Sequence, residues 1–329
     1  MLKFCPFQIP YIDSFLKMNA TIMKVFLMFL LSYEKSVKCE QGFICKPFIT
    51  LNLLLTTKGR TSMTDNRRNV FFFYKKDHEL DGHISSLEKL ATDQGFQVVK
   101  RAEDAHIIAS IGGDGTFLQA VRKTNFRDDC LYVGVSKTEN SHLYCDFSLE
   151  HFDKMIDAMN TEQIEVRKYP IIDVSVDSTN QFHCLNELSI RSSIIKTFVI
   201  DVYIDDFHFE TFRGDGMIIS TPTGSTAYNK SVNGAVVDPM LPCMQVTELA
   251  SLNNNSYRTL GAPFILSSDR KLTLKVVQDG NDHPIIGLDN EALGTKHVKQ
   301  IDIGLSGKVI KTVKLKDNSY WEKVKRRFL

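Results

Sequence analysis

Residues 112–115 read Gly-Gly-Asp-Gly, directly after the apolar run Ala105–Ile111 and directly before Thr116-Phe117-Leu118-Gln119-Ala120-Val121. That order places a strand, a glycine turn and a helix start in succession, with one carboxylate at the turn. Glycines let the backbone take positive φ and approach a ligand closely. The opening turn of a helix offers unpaired N–H groups to an anion. A carboxylate would repel phosphate in a plain cradle, so Asp114 points to proton acceptance from a hydroxyl or to metal contact. The competing reading is a tight strand–helix turn with Asp114 as the N-cap.

A second cluster lies a hundred residues on. Arg213-Gly214-Asp215-Gly216 precedes the apolar Met217-Ile218-Ile219-Ser220, and Thr221-Pro222-Thr223-Gly224-Ser225-Thr226-Ala227-Tyr228-Asn229-Lys230-Ser231 follows. So many hydroxyls, with an amide, a tyrosine and a lysine, form a dense donor set suited to ribose and phosphate oxygens. A polar surface loop with a Pro-Thr-Gly turn is the alternative. Between the two clusters, Asn186-Glu187 sits within Cys184-Leu185-Asn186-Glu187-Leu188-Ser189-Ile190. Period-two alternation turns one of that pair inward, where a carboxylate needs a partner or a ligand; a satisfied edge-strand pair fits equally well.

The elements that must position these residues change character along the chain. Val70–Tyr74, Phe96–Val99, Ile107–Ile111 and Leu131–Val135 read as strands, and Ile84, Leu87, Leu90 and Ala91 recur at helical spacing before Gly95. Strand–helix–strand alternation with short turns implies a parallel α/β sheet. Phe152, Met155, Ile156 and Met159 make a further helical stripe. Beyond Glu162 the pattern alternates, as in Val174/Val176, Val199–Ile204, Leu272/Leu274/Val276 and Val309/Val313/Leu315, with turns at Pro170, Asp205-Asp206, Pro263 and Gly280-Asn281. This half reads as two packed β-sheets. Trp321, Val324, Phe328 and Leu329 then share one face of a terminal helix that needs something to dock on.

Composition narrows the function classes. The 329 residues are 43% hydrophobic and 24% charged, with net charge +1, so no strong field recruits nucleic acid or an anionic membrane. Lys323, Lys325, Arg326 and Arg327 read as the solvated face of the terminal helix. Seven cysteines without a C-x-x-C pair, Cys130, Cys145, Cys184 and Cys243 among them, read as reduced thiols of a cytoplasmic protein. No residue is assigned as a metal ligand.

The first 62 residues differ from the rest. Their apolar runs, Val25–Leu31 and Leu51–Leu55, are far shorter than the roughly 20 residues that span a bilayer, and no cleavage site follows the first. The division expected is therefore a doubtful extension at 1–62, disordered or from a misassigned start, an α/β nucleotide-binding domain at 63–162, a β-rich domain at 163–305, and a strand and helix at 306–329 that return to the first domain.

Gly112-Gly113-Asp114-Gly115-Thr116, Asn186-Glu187, the Arg213–Ser231 stretch, Gly234-Ala235, Met244–Asn254 and Tyr257–Pro263, in that order, resemble the NAD kinase family, most of all its bacterial, Bacillus-type second form. The resemblance runs over about residues 67–329. The Gly-Gly-Asp-Gly turn alone is shared with diacylglycerol and sphingosine kinases and phosphofructokinases; the long Gly214–Ser231 motif is the specific one. One departure is plain: many bacterial members carry a Thr-Gly-His-Leu-Gly-Phe-type stretch after the fourth strand, and here Ser136–Asp146 lacks those glycines, leaving Tyr144 as the aromatic expected to contact a base.

The resemblance implies a Rossmann-like α/β domain followed by a β-sandwich, and transfer of the ATP γ-phosphoryl group to the adenosine 2′-hydroxyl of NAD with Mg²⁺. It implies Asp114 as general base, backbone N–H groups around Gly112, Gly113 and Gly115 on the donor phosphates, and Asn186 and Glu187 on NAD. Arg213, Asp215, Thr226, Ala227, Tyr228, Asn229, Lys230, Ser231 and Ala250 line the remainder, part of it from a neighbouring subunit of a homo-oligomer, a dimer or a tetramer. A lipid kinase of the diacylglycerol type and a non-catalytic dinucleotide sensor are the alternatives.

Lys58-Gly59-Arg60 can be encoded by a purine run at a spacing from Met63 that suits a bacterial ribosome-binding site. Expression from Met63 is therefore expected to give full activity, and mass spectrometry of native protein to find that start; a misfolded truncation would refute this.

Overall fold

The computed structural model describes residues 68–75, 78–138, 142–151, 155, 158, 161, 163–278, 284–293 and 297–329. Residues 1–62, Phe152, Ile156 and Met159 of the helical stripe, and the Gly280-Asn281 turn lie outside the described residues. The unit described below is Thr64–Phe152 together with Glu165–Leu329.

The first part alternates as its periodicity requires: β1 (Asn69–Tyr74), α1 (His78–Asp93), β2 (Gln97–Val98), β3 (Ile107–Ile111), α2 (Asp114–Lys123), β4 (Leu131–Ser136) and β5 (Cys145–Ser148). Strands β2, β1, β3 and β4 pair in that order, all parallel, and β5 pairs parallel with β4. Every residue of β3 is buried, the pattern of a strand covered on both faces.

The rest is antiparallel: β6 (Ile164–Val176), β7 (Asn180–Cys184), β8 (Glu187–Arg191), β9 (Phe198–Ile204), β10 (Phe207–Gly214), β11 (Gly216–Ser220), the short α3 (Tyr228–Ser231), β12 (Cys243–Leu249), β13 (Phe264–Ser267), β14 (Leu272–Val276), β15 (Ile285–Leu288), β16 (Glu291–Leu293) and β17 (Gln300–Leu315), before the terminal α4 (Tyr320–Phe328). A six-stranded sheet runs β13-β12-β11-β8-β15-β16. Its Leu188, Ile190, Met217, Ile219, Met244 and Val246 share one buried core with Ile200, Val202, Leu272, Leu274, Ile301 and Ile303 of the other sheet, which makes the sandwich. β6 runs straight through Pro170, so the turn expected at that proline does not form. A sheet tolerates proline where the ladder needs no N–H from that residue.

The two halves share a strand. Gln300–Ile303 of β17 pair antiparallel with β14, and nine residues beyond Ile303, Thr312 lies parallel beside Tyr132 of β4. One sheet thus continues from the sandwich into the α/β part. The second core forms where α2 lays Phe117, Leu118 and Val121 against Ile108, Tyr132, Ile171 and Ile310.

The terminal helix does return to the α/β part, but not on the face that its apolar residues suggest. Tyr320 and Lys323 are buried, whereas Trp321 is 49% exposed and Leu329 fully so. The reason is electrostatic. Lys323 Nζ donates to Asp146 and to the carbonyls of Leu143 and Cys145, and Lys314 Nζ donates to Asp146 Oδ1 at 3.1 Å and to Tyr144 O at 2.6 Å. The far oxygen of Asp146 accepts the Leu315 N–H at 2.8 Å. Residue 321 lies about 100° round the helix from 320, and its Nε1–H donates outward to Asp238 at 2.9 Å. Ser319 caps the helix, accepting the Glu322 N–H at 3.1 Å.

Burial and the neighbouring Lys314 push the Lys323 ammonium down to about 8. Burial works against ionisation of Asp146, but the two lysines outweigh it and hold its carboxyl below the usual range. Asp146→Asn would leave two buried ammonium groups without a counter-charge. We expect a loss of about 3–5 kcal/mol, read as a large drop in melting temperature, and a much smaller loss for Lys323→Met, which leaves one lysine on one carboxylate. Equal melting curves for Asp146→Asn and wild type would show the cluster to be solvated.

Candidate functional site

The Gly-Gly-Asp-Gly turn joins β3 to α2. Gly112 has φ +147, and a Cβ there would stand 2.4 Å from Thr116 Oγ1, so only glycine fits. Its N–H donates to Val135 O at 2.8 Å. That amide is committed to the ladder between β3 and β4 and does not face an anion, which corrects the expectation for Gly112; the amides that open α2 are the ones left at the turn. Gly113 is the N-cap, with no side-chain capping bond. Asp114 therefore is not the cap of its own helix. Its carboxylate turns across the site, accepting the Tyr144 N–H at 2.9 Å on Oδ1, and the Leu143 N–H at 3.2 Å and Arg327 Nη1 at 2.6 Å on Oδ2. His142 Nδ1 stands 4.0 Å from Oδ1.

The segment that meets Asp114 is the divergent loop. Of its residues, Glu139, Asn140 and Ser141 lie outside the described ones. The Tyr144 ring is not a surface for a ligand base, as was expected. It is buried, stacked on Phe117 at 4.8 Å and edge-on to Tyr169, and its hydroxyl donates to Asn186 Oδ1. Tyr144 thus links the Asp114 turn to the Asn186-Glu187 pair.

Asn186 lies in the break between β7 and β8 and Glu187 opens β8, so the pair is not inside one strand, and both side chains are buried. The device that allows this was not legible in the sequence. The Asp289 carboxylate accepts the N–H groups of Leu185 at 3.1 Å, Asn186 at 2.7 Å and Glu187 at 3.2 Å, while Arg122 donates to it at 3.2 Å. Asp289 and Asn290 are the two-residue turn between β15 and β16. Burial raises the Asp289 carboxyl, and the amides and Arg122 work against that. Glu187 has no such help: burial and the nearby Asp289 push it up to about 8, and its Oε2 is buried without a hydrogen-bond partner. Ser220 Oγ, directly across the ladder, is also unpartnered.

The polar run after β11 packs onto the same break. A Cβ at Gly224 would fall 2.0 Å from the Asn186 carbonyl, so this glycine is what lets the run approach. Thr221 and Thr223 both donate to Leu185 O, at 2.6 and 3.1 Å. Ser225 donates to Pro222 O, Thr226 to Thr223 O, and Asn229 accepts from Thr247. Most of the donors expected to face a ligand are spent internally, because a buried coil must satisfy its own polar groups. Thr226 and Asn229 are buried, Ala227 and Tyr228 half-buried, and Lys230 and Ser231 exposed. Lys230 Nζ lies over the Phe328 ring at 4.4 Å, so α4 touches this run as well as the Asp114 turn.

Three expected residues are not brought to this place. Ser220, at the end of β11, pairs with Glu187, whereas Gly216, at its start, pairs with Arg191 and Leu249. Arg213, Asp215 and Ala250 belong to that opposite end, roughly 14 Å along the strand at ~3.4 Å per residue. There Asp215 N–H donates to Leu249 O at 2.9 Å and the Arg213 guanidinium stacks over Tyr257 at 4.2 Å.

The site thus combines an anchored carboxylate at a helix start with a buried carboxyl that lacks a partner. Because the folded Glu187 carboxyl titrates at about 8, above its ordinary value, its protonated form favours folding and that contribution is lost as pH rises toward 8 and beyond. Glu187→Gln should therefore melt higher than wild type above pH 8, by about 1–3 kcal/mol for a buried group relieved of its charge, and equally near pH 4.5. Parallel melting curves at all pH values would count against an unpartnered carboxyl.

A family model described as the ATP-NAD kinase C-terminal domain matches residues 185–315. NAD kinase 2 of Bacillus subtilis strain 168 is 75% identical over 267 residues, covering 81% of this chain and 100% of that protein. NAD kinase 2 of Oceanobacillus iheyensis is 59% identical over 263 residues, 80% of this chain and 99% of that one. Among solved structures, yeast NADH kinase complexed with NADH has a TM-score of 0.65 at 17% identity, over 78% of this chain and 86% of that chain. An NAD kinase from Archaeoglobus fulgidus in complex with ATP has a TM-score of 0.62 at 23% identity, over 78% and 99%. The two structures share the fold, an α/β part with an antiparallel sandwich, and the curated relatives match along essentially their whole lengths: the chain belongs to the NAD kinase family.

Proposed function

We propose that this protein phosphorylates NAD at the 2′-hydroxyl of its adenosine ribose, using ATP, to make NADP. The relatives matched along their whole lengths are NAD kinases, and the lipid-kinase and sensor readings are not favoured. The observation that carries the residue assignment is the Asp114 carboxylate. A carboxylate has about four acceptor positions, and Asp114 has three occupied by Leu143, Tyr144 and Arg327, which leaves capacity on Oδ1.

In this reading the 2′-hydroxyl oxygen forms a bond to the γ-phosphorus, the bond from that phosphorus to the β,γ-bridging oxygen breaks, and ADP leaves with the electron pair. The hydroxyl proton passes to Asp114. Such a transition state is loose, so positioning contributes more than early deprotonation. Asp114 has to be aimed, and the amides of Leu143 and Tyr144 aim it. The amides of Gly113 and Gly115 face the donor phosphates, and Gly112 shapes the turn. Asn186 and Glu187 take the ribose hydroxyls or the carboxamide of NAD; the unpartnered Glu187 Oε2 supports this, since a buried acceptor wants a donor. Ala227, Tyr228, Lys230 and Ser231 line the remainder, with Thr226 and Asn229 holding the run from behind. Among the described residues no group of three His, Cys, Asp or Glu side chains forms a metal cage; Mg²⁺ would ride on the ATP phosphates, as it commonly does, and neutralise their charge.

The far position of Arg213, Asp215 and Ala250 supports a homo-oligomer, dimer or tetramer, in which they complete a neighbouring protomer's site. On this division residues 63–162 carry the phosphoryl donor, 163–305 the dinucleotide, and 306–329 tie the two. Among the described residues no helix is long and apolar enough to cross a membrane, and the unpaired buried Cys130, Cys145, Cys184 and Cys243 support a reducing, cytoplasmic setting.

Asp114→Asn should bind NAD normally while kcat falls by roughly 10²–10⁴, the usual range for a lost general base. In the same enzymatic-cycling assay, Asp114→Asn and Asp215→Ala should each be weak alone and recover activity when mixed and reassembled. Near-normal turnover by Asp114→Asn, or phosphorylation of diacylglycerol without NADP, would sink the assignment.

A further inference from the structure

The charge pattern of the terminal helix implies a solvated basic face, yet Arg327 ends on the carboxylate that the reaction uses. Arg327 Nη1 lies 2.6 Å from Asp114 Oδ2. The two neighbouring charges do other things: Arg326 donates to Asn318 Oδ1 at 2.6 Å within the helix region, and Lys325 is exposed. Arg327 stands four residues after Lys323, so both project from one face of α4. The buried Lys323 is locked to Asp146 and to the Leu143 and Cys145 carbonyls. The Phe328 ring beside Arg327 rests under Lys230. The guanidinium is therefore delivered to the turn by a helix that is anchored before and after it.

We propose that Arg327 is a further catalytic residue, an arginine supplied from the chain's own C-terminal helix that carries the charge of the phosphoryl group in transfer. The proposal rests on Asp114 being the base. As the attacking oxygen bonds to phosphorus its proton becomes acidic and passes to Asp114, and in the course of that transfer the ion pair with Arg327 loses its attraction. Negative charge meanwhile spreads over the equatorial oxygens of the phosphoryl group next to it. The guanidinium, already within hydrogen-bond reach of Asp114, exchanges the carboxylate for those oxygens by a small shift, using other donors of its planar fork. The side chain is 38% exposed beside a 19% exposed partner, so it can rotate without leaving a buried cavity. Before the reaction the same contact holds Asp114 in place.

The test is steady-state kinetics of full-length Arg327→Gln and Arg327→Lys with NAD, ATP and Mg²⁺, alongside Asp114→Asn, with melting temperature and NAD dissociation constant measured for each. Arg327→Gln is expected to lower the pH-independent kcat about 10²-fold, the scale of one lost charge-stabilising donor. Melting temperature and NAD affinity should stay at wild-type values, and Arg327→Lys should recover part of the rate. A Gln variant within about threefold of wild type would overturn the proposal, and so would an acid-limb shift of the pH profile at an unchanged plateau, the mark of a residue that only tunes Asp114. Lower melting temperature with Lys no better than Gln would mean a structural tie and would overturn it too. If Asp114→Asn itself turns over normally, the failure belongs to the reading of the base.

Discussion

The peptide segment Leu143–Asp146 is held from both sides, and the working end of the molecule depends on that grip. Its amides at 143 and 144 point at Asp114, while its carbonyls at 143, 144 and 145 point at the ammonium groups of Lys314 and Lys323. A peptide polarised by a cation at its oxygen is a better donor at its nitrogen, so the buried lysines on Leu143 O strengthen the bond from the Tyr144 N–H to Asp114. Asp146 makes this tolerable: without one negative charge, two buried ammonium groups would drive each other neutral or out of the fold.

From that segment the site grows outward by short links. Tyr144 carries the link to Asn186, Asp289 gathers the amides of Leu185–Glu187, and Gly224 lets the polar run close on the Asn186 carbonyl. The first two links are hydrogen bonds and the third is a close backbone approach, and none is a large apolar contact. The apolar cores do different work: they fix the sheets whose ends present these groups. β17 ties both together, since one continuous strand pairs with the sandwich at Ile303 and with the α/β sheet at Thr312.

The site is also economical with charge. Arg327 of α4 reaches the turn, Lys323 of α4 and Lys314 of β17 meet Asp146, and the negative groups, Asp114 and Asp146, each sit where amides and cations already await them. Glu187 is the exception, a buried carboxyl raised to about 8 with one oxygen unmatched. A fold keeps such a group at a cost, and that cost is commonly met where a ligand supplies the missing donor.

Much of the architecture was legible in the amino-acid order because it follows from periodicity. Val70–Tyr74, Ile107–Ile111 and Leu131–Val135 became parallel strands, and the alternating stretches after Glu162 became the sandwich, since burial on one or two faces imposes those patterns. The Gly-Gly-Asp-Gly turn and the Pro-Thr-Gly run were legible because only glycine fits at Gly112 and Gly224. What could not be read were the partners that come from far along the chain: Asp289 on the amides of Leu185–Glu187, Lys314 and Lys323 on Asp146, Arg327 on Asp114, and the separation of Arg213, Asp215 and Ala250 to the other end of β11. A lysine in a basic helix and an aspartate in a hairpin turn carry no local mark of burial. Pattern reports which face is apolar, whereas the neighbour that neutralises a charge is set only when distant strands and the last helix are brought together.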